Sequence, residues 1–217
     1  MTKTIKQRVI RNTLILSLSS FLSKAILLIT FIIVARNFGP DKFGYYSIAI
    51  NYLAIFGMLS KLGFDMTLVR MGAKEIKGLH LFQEKAFPIR FWFSIISLVL
   101  CNSLIFILNY NTEVITLILL MSPIIVSGGA IASGLLEHYS TTFRIMEKME
   151  YIGVVLLWRS VAFILLVTIL FYSNLLNTYS LSIAIVLSSF LALYLQFNNN
   201  KILKTKLTFR VDYIFLK

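Results

Sequence analysis

The chain has 217 residues, of which 58% are hydrophobic and only 14% charged, and its mean hydropathy is +0.84. Soluble domains average about 25% charged residues, so this composition excludes an ordinary soluble domain. Lysine and arginine outnumber aspartate and glutamate by 21 to 9, an excess that in a membrane protein faces anionic lipids and not nucleic acid. One cysteine, Cys101, and two distant histidines supply no disulfide framework or metal site, and no cofactor is expected.

Six apolar segments follow one another along the chain, and each is long enough to cross a bilayer core of ~30 Å. Their unbroken apolar character predicts α-helices, because β-barrel strands would alternate over about ten residues. The first segment follows a basic N-terminus but is too long for a signal peptide and lacks a cleavage site. We predict an all-α, polytopic six-helix membrane bundle, with spans at about 12–35, 43–65, 91–110, 114–136, 151–172 and 179–197 and a basic cytoplasmic linker or tail at 198–217.

The first span carries one charge, Lys24, near the middle of the 24 residues from Asn12 to Ala35. A cation at that depth costs roughly 2.5–3.5 kcal/mol, so it usually faces a protein interior or a watery cavity. The helical period places Thr13, Ser17 and Ser20 on the face of Lys24. This stripe indicates a cavity open to the cytoplasm that takes a phosphate or carboxylate. The alternative is that Lys24 pairs with a polar group of the bundle and binds nothing.

Other polar residues within the spans have two interpretations each. Lys61 and Asp65 are spaced i, i+4 and are predicted to form a structural ion pair. Arg159 either lines a cavity or extends toward the cytoplasmic interface. Asn51 and Asn102 are expected to hydrogen-bond between helices, with the lining of a polar cavity as the weaker alternative for both.

The fourth span is rich in small residues. It contains Pro123 and two small-xxx-small pairs, Gly129/Ser133 and Ala130/Gly134. Such pairs let helix backbones approach closely. The pattern indicates tight helix packing, and the alternative is a helix that bends as a gate.

The distribution of basic residues predicts the orientation. The N-terminus, the 70–90 and 144–148 connectors and the tail hold 4, 5, 2 and 5 Lys/Arg, whereas the alternate connections hold only Arg36 and Lys42. By the positive-inside rule both termini are cytoplasmic. The central parts of the spans hold no Asp or Glu. Since carriers of cationic substrates usually use an intramembrane carboxylate, an anionic substrate is favoured.

Three segments carry a family resemblance: SSFLSK at Ser19–Lys24, IVARNFGPDKFGYY at Ile33–Tyr46, and LGFDMTLVR at Leu62–Arg70. They resemble the N-terminal signature of polysaccharide biosynthesis proteins, the O-antigen and capsule flippases of the multidrug/oligosaccharidyl-lipid/polysaccharide exporter superfamily. The turn reads "ARxLGPxxFGxY" in that family and is followed by "DLGLxxxxVR". The match covers residues 12–75 well, and the later spans agree in spacing and hydropathy. Lys61 replaces the usual acid of the second motif.

The resemblance implies a bacterial inner-membrane flippase, which is a transporter and not an enzyme. It would move an undecaprenyl-diphosphate-linked oligosaccharide between leaflets, with Lys24 in the position of a basic, cavity-lining first-helix residue. Such carriers have two six-helix lobes and twelve or more spans, roughly twice this length. The expected partners are the lipid-linked substrate, anionic lipids, a second lobe or second copy of the chain, and glycan polymerases or glycosyltransferases.

Two other functions remain open at this stage. One is half of a related multidrug or metabolite exporter, which predicts an intramembrane carboxylate. The other is a non-transporting remnant or membrane subunit that stabilises a glycan-assembly complex.

Overall fold

All the regular structure of the described residues is helical. The computed structural model describes residues 5–60, 68–70, 79–129 and 134–201. The principal helices are α1 (Ile5–Leu59), α2 (Leu79–Ile107), α3 (Thr112–Met121), α4 (Ile124–Ser127), α5 (Gly134–Ile145), α6 (Met149–Tyr172) and α7 (Thr178–Lys201).

Helix α1 is a hairpin of two arms joined at Gly39. The backbone of Gly39 has φ 73° and ψ 176°, a conformation that favours glycine, and Pro40 then starts the second arm without needing an N–H partner. The rings of Phe31 and Tyr46 lie 6.3 Å apart. Fifteen residues of straight helix would separate them by about 22 Å, so the arms fold back on each other. The predicted break at Gly39-Pro40 is confirmed, although only Gly39 leaves the helical conformation.

Several helices are long and apolar enough to cross a membrane. These segments are Ile10–Leu59, Ala86–Ile107, Met149–Tyr172 and Thr178–Asn199, with a shorter apolar segment at Thr112–Ser127. They confirm the predicted all-α, polytopic membrane protein. Because Ile10–Leu59 contains the two arms of α1 and Thr112–Ser127 is short, the count of six crossings stays a prediction.

The fourth predicted span is not one continuous helix. Helix α3 ends at Met121, α4 has only four residues, and Gly128 then adopts φ 83° and ψ 170°. Pro123 cannot donate a backbone hydrogen bond, which explains the first interruption. A Cβ added to Gly134 would overlap the backbone O of Val126, so the chain packs against itself here. Ala130 and Ser133 of the predicted small-residue pairs lie outside the described residues.

Helix α2 begins twelve residues earlier than the predicted third span. Its first turns bury Phe87 and Arg90, and the Phe87 ring packs against His138 and Tyr139 of α5, with centroids 5.5 and 6.4 Å apart. The placement of Arg90 in the charged connector before the third span is therefore wrong, since Arg90 lies within α2. The predicted span began after Arg90, because hydropathy rises only beyond this charged residue. The helix instead includes Arg90, because Phe87 packs against α5.

Small residues bring the N-terminal arm of α1 against α6. The Ser23 and Ser160 hydroxyls are 2.5 Å apart, and the Ser23 hydroxyl also donates to the Leu156 carbonyl at 3.3 Å. Gly153 faces Ser19, where a Cβ would lie only 2.5 Å from the Ser19 Oγ. Close helix approach through small residues and serine hydrogen bonds is typical of membrane bundles.

The buried His138 predicts an acid-sensitive stability. Its side chain lies just beyond the predicted fourth span, is 3% exposed, and has a pKa lowered to about 3 by burial and by the charge of Arg90. The folded protein therefore keeps this imidazole neutral while the unfolded chain, with a pKa of 6.5, binds a proton. Below pH 6.5 stability should fall by about 1.4 kcal/mol per pH unit from this group, and it should be unaffected above.

Thermal unfolding of the purified protein in detergent between pH 8 and pH 5 checks this expectation. The variant His138→Phe should lose this part of the pH dependence, because its ring carries no proton. Parallel pH curves for the variant and the wild type would contradict the assignment.

Candidate functional site

The polar stripe of the first span lies on the outer surface of the bundle. Thr13, Ser17 and Lys24 are exposed and Ser20 is half-buried. The buried face of the same arm lies about 100° around the helix from this stripe. It includes Asn12, Ser19, Ser23 and Thr30. The predicted face is therefore found, but within the described residues it does not enclose a cavity of its own.

Arg159 occupies a different position, inside the bundle. It lines a cavity of about 240 Å³ between both arms of α1, α6 and α7, and it is only 6% exposed. The residues that line this cavity are Leu27, Phe31, Ile50, Arg159, Phe163, Ile185, Ser188 and Ser189. Its burial favours the cavity interpretation of Arg159 over a side chain that reaches the membrane interface.

The interrupted backbone after α4 reaches the same region. A Cβ built on Gly129 would lie 2.6 Å from the Ser189 Oγ and 3.7 Å from the Arg159 Nη1. Any side chain at 129 would therefore overlap the Ser189 hydroxyl, so glycine allows the backbone to pass close to Ser189, next to the guanidinium. Unwound backbone next to a charged group inside the membrane is a recurring arrangement in transporter sites.

Lys24 and Arg159 are neighbours in the fold but not members of one pocket. Leu27 and Phe31, at i+3 and i+7 from Lys24, line the Arg159 cavity, whereas Lys24 does not. The face of α1 that carries the polar stripe thus continues beyond Lys24 with apolar residues that line the cavity.

The remaining predicted residues have other positions. Asn51 is exposed and its Nδ2 donates to the Ser47 carbonyl of its own helix at 2.9 Å, so this amide makes no interhelical bond to a described residue. Asn102 is half-buried, and its Oδ1 has no hydrogen-bond partner in the described part of the chain. Lys61 and Asp65 lie outside the described residues.

Carboxylates of the described side chains lie at helix ends and turns. Glu113 is in the first turn of α3 and accepts from the Thr178 hydroxyl at 3.4 Å. Glu137 and Glu150 are in the first turns of α5 and α6 and pair with Arg144 and Arg11. Within the described part of the chain, no carboxylate lines the Arg159 cavity. The intramembrane charges described in the bundle are therefore cationic.

Sequence reasoning missed Ser188 and Ser189 as neighbours of Arg159. Both hydroxyls are buried and donate to the Ile185 carbonyl at 2.9 Å. Two adjacent serines near the middle of the sixth span were the available signal.

Comparison with known proteins identifies the family. The family model described as polysaccharide biosynthesis protein matches residues 9–212, which is nearly the whole chain. Neither a curated protein nor a solved structure matches the chain. The match includes all of the membrane helices described above, and it agrees with the sequence signature around Gly39-Pro40. The chain belongs to the polysaccharide biosynthesis protein family.

Proposed function

We propose that the chain takes part in moving a lipid-linked oligosaccharide, of the undecaprenyl-diphosphate type, across the bacterial cytoplasmic membrane for cell-surface polysaccharide synthesis. The proposed topology has both termini in the cytoplasm and six crossings in one lobe. Family membership supports the general role in polysaccharide synthesis or export. The transport step, its substrate and the topology are the proposed part.

The observation that carries the proposal is the exposure of Lys24 on a membrane helix. The side chain makes no hydrogen bond or ion pair with any residue the structure describes, and it lies about 18 Å along the first span from Asn12. Lipid would not accept an ammonium at this depth without a cost of roughly 2.5–3.5 kcal/mol. A second lobe, or a second copy of the chain, placed against this face would enclose Lys24 in a watery cavity.

A cavity of that kind suits a diphosphate. An ammonium attracts phosphate oxygens strongly where water is scarce, and the exposed hydroxyls of Thr13 and Ser17 continue the polar face toward the cytoplasmic end. Alternating access requires two halves that move about a shared site. Lys24 would be the contribution of this half, and Ser17 and Ser20 would line the entry.

The matched variants Lys24→Ala, Lys24→Arg and Lys42→Ala test this role. In cells that depend on this gene, Lys24→Ala should lower surface polysaccharide about tenfold or more, since a charge-assisted hydrogen bond contributes about 1.5–3 kcal/mol. Lipid-linked intermediates should accumulate in the inner leaflet. Lys24→Arg should retain most export. Lys42→Ala removes an equal charge from the exposed residues after the Gly39 kink and should export normally.

Membrane abundance of each variant is measured by immunoblot, so that loss of export can be separated from loss of protein. Wild-type export by Lys24→Ala at normal abundance would exclude the proposed substrate contact. Altered drug resistance with unchanged polysaccharide would instead favour the exporter alternative.

A further inference from the structure

We propose that the cavity around Arg159 binds a small inorganic anion, of which chloride is the type, and that this anion neutralises the guanidinium within the bundle. The inference does not rest on the proposed transport, because it concerns a site inside one bundle and not the face that carries Lys24.

Among the residues that the structure describes, none is a partner for the charge of Arg159. The residue is only 6% exposed, and its Nη1 is shielded from solvent and has no hydrogen-bond acceptor in this part of the chain. The ion pairs seen among described side chains, Arg11–Glu150 and Arg144–Glu137, lie elsewhere. A buried charge without a counter-charge is strongly destabilising. A counter-ion within the cavity would remove that cost.

The cavity has the polar groups that an anion needs. The guanidinium carries five N–H donors, and Nη1 donates to no described residue. The Ser188 and Ser189 hydroxyls now donate to the Ile185 carbonyl, and rotation of a hydroxyl lets it donate to an anion instead. The backbone of Gly129 passes close to Ser189, and a Cβ built on it would lie 3.7 Å from the Arg159 Nη1, so no side chain from this position fills the space next to the guanidinium. Among the described residues that line the cavity, none is an acid that would repel an anion.

The size and depth of the cavity define the class of anion. Its volume of about 240 Å³ is below the roughly 300–1,000 Å³ of pockets that hold drug-sized ligands. It has room for one ion and a few waters, at ~30 Å³ each. Arg159 lies about 15 Å along α6, a helix about 36 Å long, and is therefore far from the depth of lipid headgroups. The half-buried lining residues Leu27, Phe31 and Ile50 are apolar. A small anion that sheds its water readily fits this site better than a lipid phosphate.

Anion-dependent unfolding of the purified full chain tests the proposal. Melting temperatures are measured in detergent at constant ionic strength while chloride replaces gluconate, with bromide and inorganic phosphate as parallel series. At ten times its Kd, chloride should raise the Tm by about 3–5 °C, and bromide should act similarly. An equal Tm in chloride and in gluconate over the accessible concentration range would overturn the proposal.

Variants locate the effect. Arg159→Met should abolish the chloride dependence and should be at least as stable as wild type in gluconate, because it removes the uncompensated charge. Ser189→Asp supplies a fixed carboxylate beside the guanidinium and should also remove the need for chloride. Arg36→Met removes an exposed cation from α1 and should keep the full chloride response. A chloride response that persists in Arg159→Met would place the anion elsewhere.

The source of the anion is distinguished by adding phosphatidylglycerol to the micelles without chloride. Stabilisation of the wild type by this lipid, with no response to chloride, would overturn the inorganic-anion assignment. As a direct check, bromide in crystals should give an anomalous peak next to the Arg159 Nη1. A clear map without that peak would count against the site.

Discussion

The variant Gly153→Leu should separate α1 from α6 and destabilise the protein by about 3 kcal/mol or more. A Cβ at 153 would lie 2.5 Å from the Ser19 Oγ, 3.0 Å from the Ser19 Cβ and 3.8 Å from the Ile15 Cγ2. Overpacking inside a well-packed bundle costs about 1–3 kcal/mol, and a leucine here must also push two helix backbones apart. The nearby Ser23–Ser160 contact would then open.

The measurement is the Tm and the yield of folded, monodisperse protein in detergent. Val154→Leu is the matched control, since Val154 is 49% exposed on the outside of the same turn and should change the Tm little. A double-mutant cycle sharpens the assignment: Ser19→Gly should recover much of the stability lost in Gly153→Ala, because it removes the atoms that the new methyl group meets. Equal losses for Gly153→Leu and Val154→Leu would refute close packing at this point.

The variant Gly134→Ala should destabilise the protein more per added atom than Gly153→Leu does, since its one methyl group would overlap main-chain atoms. The added Cβ meets the carbonyl of Val126 and the amide of Gly128, and backbone atoms cannot rotate away as side chains do. The chain would have to give up the close return of α5 against α4. We expect a loss of more than about 3 kcal/mol, at the upper end for single substitutions.

Substitutions at two other glycines provide controls, for which we expect different changes in stability. Nothing lies within 4 Å of a Cβ at Gly44, so Gly44→Ala should be neutral or stabilise the helix by about 0.5–1 kcal/mol. Gly39→Ala meets no atoms but must adopt φ +73° with ψ 176°, a conformation that costs about 1–3 kcal/mol for a residue with a side chain. Urea or thermal unfolding of the three alanine variants should therefore rank Gly44, Gly39 and Gly134 in increasing damage. Any other order would show that overlap with the backbone is not the reason why residue 134 must be glycine.

The sequence predicted the class of the protein because the class depends on composition over long stretches. Apolar segments of about 20 residues lie in the bilayer core, where no water can hydrogen-bond to the backbone. They therefore form helices whatever segments surround them. The break at Gly39-Pro40 was also predictable, since both residues act on the local backbone. The polar face of Lys24 followed from helical periodicity alone.

What the sequence could not predict depends on contacts between distant residues. Periodicity showed that Ser17, Ser20 and Lys24 share a face, but not that this face lies outside the bundle while Ser23 lies inside. Arg90 was misplaced because its burial depends on the packing of α2 against α5. The position of Arg159 beside Gly129 and Ser189 required three separate segments to meet, and no local pattern carries that information.

The one-residue junction at Gly39 limits how the first two membrane segments can move relative to each other. Two arms joined by a single non-helical residue cannot slide past one another along their axes, because there is no linker between them that could extend. They can still change the angle between them, which is hinge motion and not shear. Since Leu27 and Phe31 belong to one arm and Ile50 to the other, such a change of angle would widen or narrow the Arg159 cavity directly. The angle at the Gly39 junction and the width of the Arg159 cavity are thus coupled.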